Sequence, residues 1–266
     1  SLQVLLQCGV FLCIVSLYFI KLKYNHYNNM NTQKLSIIIP VFNEENTVGA
    51  VIERVRAISF TGWDIEIIAV NDGSTDGTKE VLNRYTSDVV VINLPKNAGK
   101  GSAVKAGIEA STGDFALIQD ADLECQPEEI PLLLKALQDN IAEGKVAVMG
   151  SRELLKDNHK SKLFARLGSL SITKFINLLY GALLTDTLMG YKLFPKVTFG
   201  HFRAGGFDAE MLFLCYLLQQ GYRVVEVPVS YTPRDKEAGK KINHWQGVKI
   251  IYKIGVFWLK GLLRLN

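Results

Sequence analysis

Short apolar runs alternate with amphipathic helical patterns from Leu35 onward, and this alternation limits the possible folds more than any other feature of the sequence. The predicted strands are Leu35–Val41, Ile65–Val70, Val89–Leu94, Phe115–Gln119, Val146–Met149 and Arg223–Val229. The helical patterns between them are Asn46–Ile58, Asp76–Tyr85, Lys100–Ala110 and Pro127–Gln138. Because such alternation is typical of helices that cover both faces of a mostly parallel sheet, the sequence predicts an α/β domain.

The composition agrees with one large folded domain that carries short appendages. The chain has 266 residues, of which 48% are hydrophobic and 21% charged, so it can bury a full core. Its 4 cysteines have neither the spacing of a zinc site nor the density of a disulfide scaffold, which favours a reduced, cytosol-facing compartment. The net charge of +4 is unremarkable, its basic excess is local to the C-terminal segment, and no nucleic-acid partner is expected.

Residues 1–30 are expected to stand apart from this domain. The segment Leu2–Ile20 is mostly apolar and is followed by Lys21 and Lys23, which favour a cytoplasmic position for the chain after it. At about 1.5 Å per residue, such a helix barely crosses a bilayer core of roughly 30 Å. Two interpretations stay open: residues 1–30 are an N-terminal membrane anchor, or they are a mis-annotated extension and Met30 is the true start.

Three carboxylates follow the fourth predicted strand at alternating positions: Asp120, Asp122 and Glu124. Alternate side chains of a strand point to the same side, so Asp120 and Asp122 are expected to converge on one divalent cation. Such an ion keeps coordination sites for phosphate oxygens, which suits a nucleotide diphosphate. Taken alone the D-x-D pattern is weak, because acidic pairs at strand ends are usually solvated loop residues.

The loops after the first four predicted strands carry polar residues, and we expect them to meet at one edge of the sheet. Asp72 is placed to accept hydrogen bonds from a base or a ribose hydroxyl, whereas Asp76 is expected to cap the helix after it. Lys100 opens a helix behind a glycine-containing loop, where an anion is favoured. The spacing of a P-loop is absent, which argues against an ATPase.

A series of motifs occurs in order along the chain: PVFNEE, NDGSTDG, NAGKG, DADLE, GSR, DTLMGYKLF, GFDAE, YTPR and GKK. This ordered set resembles the inverting family 2 glycosyltransferases of the GT-A fold. It is most similar to the polyprenyl-phosphate sugar synthases, among them the dolichyl-phosphate mannose and glucose synthases. The resemblance covers about Leu35–Gly247 and implies a GT-A (Rossmann-like), mostly parallel sheet with helices on both faces.

The resemblance also implies roles for individual residues. The nucleoside and diphosphate of the sugar donor would be bound by Pro40, Phe42, Glu44, Asp72, Lys100 and Asp120. The metal cofactor, Mg²⁺ or Mn²⁺, would be held on the diphosphate by Asp120, Asp122 and Glu124. The synthases often have Gln where this chain has Glu124. A ligand at that position would therefore add a negative charge and change the metal preference.

Basic residues in the second half of the chain would approach phosphates of the donor or the acceptor. We assign Arg152 and Arg234 to catalysis together with Asp122, because a guanidinium pairs bidentately with phosphate. The acceptor phosphate is assigned to Arg166, Lys240 and Lys241. An ordinary solvated basic surface is the alternative. Asp186 and the turn Gly190–Lys192 resemble the acceptor-side segment of the family, and both could equally be structural.

Asp208 occupies the position where many family 2 enzymes hold a catalytic base, and it is assigned to catalysis; a helix N-cap is the alternative. An alcohol acceptor needs a carboxylate to remove its proton. A phosphate monoester is already anionic and attacks C1 of the sugar unaided, so positioning and metal charge suffice for a lipid-phosphate acceptor.

Residues 244–266 are predicted to form a basic amphipathic helix beyond a glycosyltransferase domain of residues 31–243. No acidic residue follows Ile242, and four basic residues fall within a narrow arc of a helix at about 100° per residue: Lys249, Lys253, Lys260 and Arg264. A helix of this kind lies on an anionic membrane. Packing against the predicted helix Lys162–Tyr180 is the competing explanation.

Together these observations predict a metal-dependent, inverting hexosyltransferase at the cytoplasmic face of the membrane, either peripheral or N-terminally anchored. The expected donor is a nucleotide-diphosphate sugar of the UDP-glucose or GDP-mannose type, and the expected acceptor is a polyprenyl phosphate, undecaprenyl or dolichyl. One alternative is a family 2 enzyme that extends a polysaccharide or lipid-linked glycan at a sugar hydroxyl, for which Asp208 or Glu210 would be indispensable. Another is a non-catalytic, nucleotide-sugar-binding membrane protein.

Overall fold

The computed structural model describes residues 32–156, 158, 163–234 and 244–264, with the side chains of 163–165, 244–246 and 264 left out. The predicted membrane anchor or extension at residues 1–30 therefore lies outside the described residues. So do Lys240 and Lys241, together with the side chain of Arg264. The predictions made for these residues stay predictions.

A twisted sheet of seven strands forms the centre of the described structure, in the order β3-β2-β1-β4-β6-β5-β7. Its strands are β1 Gln33–Val41, β2 Trp63–Asn71, β3 Val90–Asn93, β4 Phe115–Ile118, β5 Val146–Ser151, β6 Lys192–Pro195 and β7 Arg223–Pro228. All pairings are parallel except those of β6, which runs antiparallel to both β4 and β5. The mostly parallel α/β sheet predicted from the sequence is thus confirmed.

Apolar residues alternate between the two faces of β1, and this explains why the sheet is covered on both sides. Leu35, Ile37 and Ile39 point into the larger core, where they meet helices α1 (Val48–Arg56) and α4 (Ile130–Asn140). Ile38 points to the opposite face and packs against α3 (Lys100–Ala110). A strand buried on both faces shows a continuous apolar run, as this one does.

The remaining helices are α2 Thr78–Asn83, α5 Leu163–Tyr180, α6 Asp208–Gln219 and α7 His244–Arg264, and short 3₁₀ turns cover Pro127–Glu129, Ile141–Glu143 and Lys196–His201. Helices α5, α6 and α7 form a separate apolar cluster beside the sheet. Ile250 and Ile254 of α7 are buried there against Ile176 and Met211. The competing explanation for the last helix, packing against the Lys162–Tyr180 helix, therefore holds for one of its faces.

Strand β6 is absent from the predictions made from sequence. Residues 190–192 were expected to form a turn, but Lys192 is the first residue of this strand. The strand is only four residues long, ends in Pro195 and has no clear period of two. It is held by pairing with β4 and β5 on both sides, so neighbouring strands rather than local sequence determine its conformation.

Within the described ranges, no helix combines the length and the apolar character needed to cross a membrane.

Candidate functional site

One cleft opens at the carboxyl ends of β1, β2 and β4, where the strand order changes direction. Such a position is where ligands bind in open α/β sheets. The cleft brings together all the residues predicted to bind the nucleotide sugar, which are Pro40, Phe42, Glu44, Asp72, Lys100 and Asp120. Asp122 also lines it. Phe42 is 42% exposed although it is a large apolar residue, so its ring is available for stacking.

Asp120 lies beside a lysine inside this cleft. The Nζ atom of Lys100 is 2.6 Å from Oδ1 of Asp120 and 2.8 Å from Oε1 of Glu210. Burial would lower the pKa of Lys100, but the charges of Asp120 and Glu210 outweigh it and raise that pKa above its ordinary value. The ammonium group is therefore charged and shared between two carboxylates.

Asp122 converges with Asp120 for a reason that differs from the prediction. Strand β4 ends at Ile118, so strand alternation does not orient the two carboxylates. A turn follows, in which Leu123 takes a positive φ of 57° and the N–H of Glu124 donates to Oδ1 of Asp122 at 3.1 Å. Both aspartates still line the same cleft, because the turn directs them there.

Glu124 is buried against other partners. Its carboxylate accepts hydrogen bonds from the Tyr231 hydroxyl at 2.8 Å and from the backbone N–H of Arg234 at 3.3 Å. Burial and the Glu124 charge raise the pKa of Tyr231, so its hydroxyl stays protonated and donates. These bonds fix Glu124 between the cleft and the chain segment that follows β7.

Arg234 reaches into the cleft from that segment. Its Nη2 atom is 2.6 Å from Oε1 of Glu44 and 3.4 Å from Oδ2 of Asp122, and its Nε–H donates to the carbonyl of Asp122 at 3.1 Å. The guanidinium thus places its positive charge beside Glu44, which is predicted to bind the nucleotide sugar, and beside Asp122, a predicted metal ligand. The assignment of Arg234 to catalysis stays a prediction.

The donor set of the cleft fits a divalent cation held by few protein ligands. Asp120 and Asp122 offer carboxylate oxygens on one wall, which is the ligand type that Mg²⁺ and Mn²⁺ prefer. Among the residues described, no group of three or more His, Cys, Asp or Glu side chains is arranged to hold a metal ion. Phosphate oxygens and water would have to fill the remaining positions.

Asp72 is buried at the tip of β2 and holds the neighbouring loop. Its two carboxylate oxygens accept hydrogen bonds from the backbone N–H groups of Ala98 and Gly99, at 2.8 and 2.9 Å. Asp76 lies one residue before Gly77, the N-cap of α2, and its Oδ1 accepts the N–H of Thr78, the first residue of that helix, at 3.1 Å. The loop before Lys100 is therefore tied to the end of β2.

The family model of glycosyl transferase family 2 matches residues 36–208, which include every residue that lines the cleft. The chain belongs to this family. An undecaprenyl-phosphate 4-deoxy-4-formamido-L-arabinose transferase of Pectobacterium carotovorum subsp. carotovorum (strain PC1) is 35% identical over 159 residues, which are 58% of this chain and 46% of that protein. The protein of the same name from Yersinia pestis (strain Pestoides F) is 34% identical over 163 residues, 59% of this chain and 47% of its own. The chain thus spans about half the length of these curated relatives.

Solved structures agree with the fold of a family 2 glycosyltransferase. Glucosyl-3-phosphoglycerate synthase of Mycobacterium tuberculosis, in complex with UDP, superposes with a TM-score of 0.65 at 20% identity and covers 85% of this chain and 80% of that one. The same enzyme with Mn²⁺, UDP-glucose and phosphoglyceric acid gives a TM-score of 0.63 at 20% identity, with 85% and 80% covered. The predicted GT-A fold is confirmed by these likenesses.

Two arginines assigned to phosphates in this glycosyltransferase are paired with carboxylates. Arg152 donates from Nε and Nη2 to Asp186 at 2.6 and 2.7 Å, and its guanidinium lies 4.9 Å from the ring centre of Tyr231. The Nη2 atom of Arg166 lies 2.6 Å from Oε2 of Glu153. Neither arginine lines the cleft, so their assignment to catalysis and to the acceptor phosphate stays a prediction.

Asp208 lies outside the cleft lining, at the first residue of α6. The N-cap of this helix is Phe207 and Asp208 is the first residue inside it, so the alternative N-cap role predicted for Asp208 is wrong. The carboxylate instead lies 2.6 Å from Nζ of Lys253 on α7. Its assignment to catalysis stays a prediction.

Three residues that shape the site of this glycosyltransferase were missed or assigned no role from the sequence. Gly190 allows close approach, because a side-chain carbon there would overlap the Asp120 carboxylate. Tyr231 positions Glu124, and Glu226 accepts the backbone N–H groups of Thr185 and Asp186 at 2.7 and 2.8 Å. The motif DTLMGYKLF contained Gly190, but nothing in its spacing indicated contact with Asp120.

Proposed function

We propose that this family 2 glycosyltransferase moves a hexose from a nucleotide-diphosphate sugar to a polyprenyl phosphate, with inversion at C1. The observation that carries the proposal is the cleft, where an exposed aromatic ring, a lysine and paired aspartates meet. The expected donor is of the UDP-glucose or GDP-mannose type and the acceptor is undecaprenyl or dolichyl phosphate. Support for the acceptor comes from the relatives, which are named as undecaprenyl-phosphate sugar transferases.

The donor would lie along the cleft from Phe42 to Asp122. Phe42 and Pro40 would contact the base, Glu44 and Asp72 would accept from the base or the ribose, and Lys100 would approach the diphosphate. A bound Mg²⁺ or Mn²⁺ ion, held by Asp120 and Asp122, would supply positive charge to the departing diphosphate. The assignment of Glu124 as a third ligand stays a prediction. A structural neighbour was solved with Mn²⁺ and UDP-glucose, which supports a divalent ion as the cofactor.

The charge of the acceptor phosphate determines how the transfer proceeds. A phosphate monoester oxygen is anionic at neutral pH, so it forms a bond to C1 while the bond from C1 to the diphosphate oxygen breaks. One displacement of this kind inverts C1. The main tasks left to the protein are to position the two phosphates and to balance their charge, for which we assign Arg152, Arg234, Arg166, Lys240 and Lys241.

The contacts of the carboxylates on α6 disfavour a sugar hydroxyl as the acceptor. A hydroxyl acceptor needs a general base within hydrogen-bond reach. Asp208 is ion-paired with Lys253, and Glu210 is buried between Lys100 and Lys192. Neither of these carboxylates lines the cleft, so neither can reach an acceptor there without movement.

The outer face of α7 supports a position on the membrane. Val248, Tyr252, Leu259 and Leu263 are exposed on this face, with Tyr252 72% and Leu263 76% exposed. Lys249, Lys253 and Lys260 are exposed beside them. A helix that buries one apolar face in the protein and shows a second one flanked by lysines fits an anionic lipid surface. We place the enzyme at the cytoplasmic face, where the unpaired thiols of Cys125 and Cys215 are expected to persist.

A product assay tests the proposal. The purified protein is incubated with Mn²⁺, undecaprenyl or dolichyl phosphate in detergent, and radiolabelled UDP-glucose, GDP-mannose or UDP-arabinose in turn. The third donor is included because the relatives are named for an arabinose derivative. We expect label in an organic-extractable, acid-labile product with inverted configuration at C1. Label that enters only a glycan, or no labelled product with any donor, would contradict the proposal. A lipid product formed from UDP-arabinose alone would keep the acceptor and overturn the hexose, because arabinose is a pentose.

A further inference from the structure

Four charged side chains form an ion-pair network that runs from the cleft into the protein interior. Glu210 of α6 stands at its centre, with Oε1 at 2.8 Å from Lys100 and Oε2 at 3.0 Å from Lys192. Lys100 continues to Asp120 at 2.6 Å. Glu210 and Lys192 are almost fully buried, with side chains 2% and 4% exposed. The charges of these four groups cancel.

Close packing of two helices brings the four side chains of this ion-pair network together. Gly101 of α3 lies against Ala209 of α6, and a side-chain carbon at Gly101 would overlap the methyl group of Ala209. The residues next to them in sequence, Lys100 and Glu210, consequently face each other. Gly190 makes the corresponding approach possible at the other end, where Asp120 rests against the backbone.

We infer that Glu210 is a positioning residue, which shares the ammonium group of Lys100 with Asp120 and so leaves Asp120 able to bind a divalent cation. This inference rests on the proposed function, because it assumes that Asp120 takes part in metal and nucleotide binding. Without Glu210, Asp120 is the carboxylate that remains beside Lys100 in the described part of the chain, and the lysine then competes with the cation for it. The metal requirement of nucleotide binding should therefore rise.

Two other roles for Glu210 have to be separated from this one. A general base is disfavoured by geometry, since Glu210 is buried, lies outside the cleft lining and contacts two lysines. A purely structural counter-charge for Lys192 predicts that Glu210 becomes dispensable once Lys192 loses its charge. The substitution Lys192→Met creates that background, and it also avoids leaving a buried lysine unpaired in the test variant.

The experiment measures binding of UDP, and separately of GDP, by titration calorimetry at stepped Mn²⁺ concentrations. It compares the wild type, Lys192→Met, and Lys192→Met/Glu210→Gln. We expect the double variant to need about tenfold more Mn²⁺ for half-maximal nucleotide binding than Lys192→Met does, which corresponds to the loss of one charged partner. Glu109→Gln, which removes an exposed partner of Lys105 on the same helix as Lys100, is the matched control and should behave like the wild type.

Each outcome decides the inference. Equal Mn²⁺ requirements in Lys192→Met and the double variant would show that Glu210 only neutralises Lys192, and would overturn it. A wild-type protein that binds neither UDP nor GDP at any Mn²⁺ concentration would overturn the proposed function first and the inference with it. If the double variant does not fold, Glu210→Asp is measured in its place. Its side chain is one methylene shorter, so it keeps the negative charge but moves it away from Lys100. An unchanged Mn²⁺ requirement in that variant would also overturn the inference.

Discussion

Asp208 of α6 and Lys253 of α7 form an ion pair of 2.6 Å across the interface of two helices, outside the cleft. This pair places a candidate base in contact with the helix that carries the exposed lysines. If the acceptor is a phosphate monoester, Asp208→Asn should retain transfer, because no proton has to be removed. A partly exposed ion pair contributes about 0–1 kcal/mol, so the variant should also fold.

A single-turnover rate with purified polyprenyl phosphate measures this effect. Lys253→Met breaks the same ion pair from the other side and is the matched control. A loss of about 10²–10⁴-fold in Asp208→Asn but not in Lys253→Met would identify a general base and favour a hydroxyl acceptor.

Asp122 is one of the two aspartates of the predicted metal pair, and both of them are partly exposed. Asp122→Asn should abolish transfer while leaving the fold intact, because the side chain lies at the edge of the cleft and not in the apolar core. Thermal unfolding and Mn²⁺ dependence of transfer measure the two parts of this prediction. Asp139→Asn removes an exposed carboxylate paired with Lys135 on α4 and should leave both unchanged. Full turnover in excess EDTA would remove the metal from the mechanism.

Arg234 contacts both sides of the cleft, yet we expect its loss to affect the acceptor more than the donor. Arg234→Ala should raise the KM for polyprenyl phosphate, since losing a charged phosphate partner costs about 1.5–3 kcal/mol, or one to two decades in affinity. Binding of the nucleoside diphosphate, followed by calorimetry, should change little. Arg223→Ala, which removes an exposed partner of Glu143, serves as the control. Equal weakening of nucleotide binding would move Arg234 to the donor site.

The exposed face of α7 should bind anionic lipid. The double variant Tyr252→Gln/Leu259→Gln should lose most of its binding to vesicles that contain phosphatidylglycerol, because both side chains are exposed and would enter the lipid. Vesicle flotation measures the bound fraction, and added salt should weaken the binding that the lysines contribute. Leu132→Gln, a substitution of an exposed leucine on α4, is the matched control. Undiminished flotation of the double variant would exclude this face as the contact.

The sequence was sufficient to predict the parallel part of the sheet, because long apolar runs such as Leu35–Val41 carry a strong signal of burial. It also identified Phe42, Asp72 and Asp120 as neighbours, since the ends of parallel strands necessarily meet at one edge. Strand β6 escaped prediction because its conformation depends on pairing partners distant in sequence. The contacts of Glu210 escaped for a related reason, since they need the close approach of α3 and α6.

Strand alternation predicted correctly that Asp120 and Asp122 lie close together, but the reason it gave is wrong. Asp120 and Asp122 do share one wall, but they lie after the end of β4, in a turn that continues to Leu123 at positive φ. Such a turn is rarely adopted by leucine, so propensity alone could not indicate it. The same turn gives Glu124 partners that a simple strand extension would not have supplied.

The carboxylate of Asp72, which accepts the N–H groups of Ala98 and Gly99, has a consequence for the kinetics of substrate capture. A loop already fastened to the sheet loses little conformational entropy when a ligand arrives, so more of the contact energy remains as affinity. The wall of the cleft that contains Lys100 is thus rigid before encounter. Association with the donor should then proceed without a slow ordering step on this side, and rapid-mixing traces should show a single phase that depends linearly on nucleotide concentration.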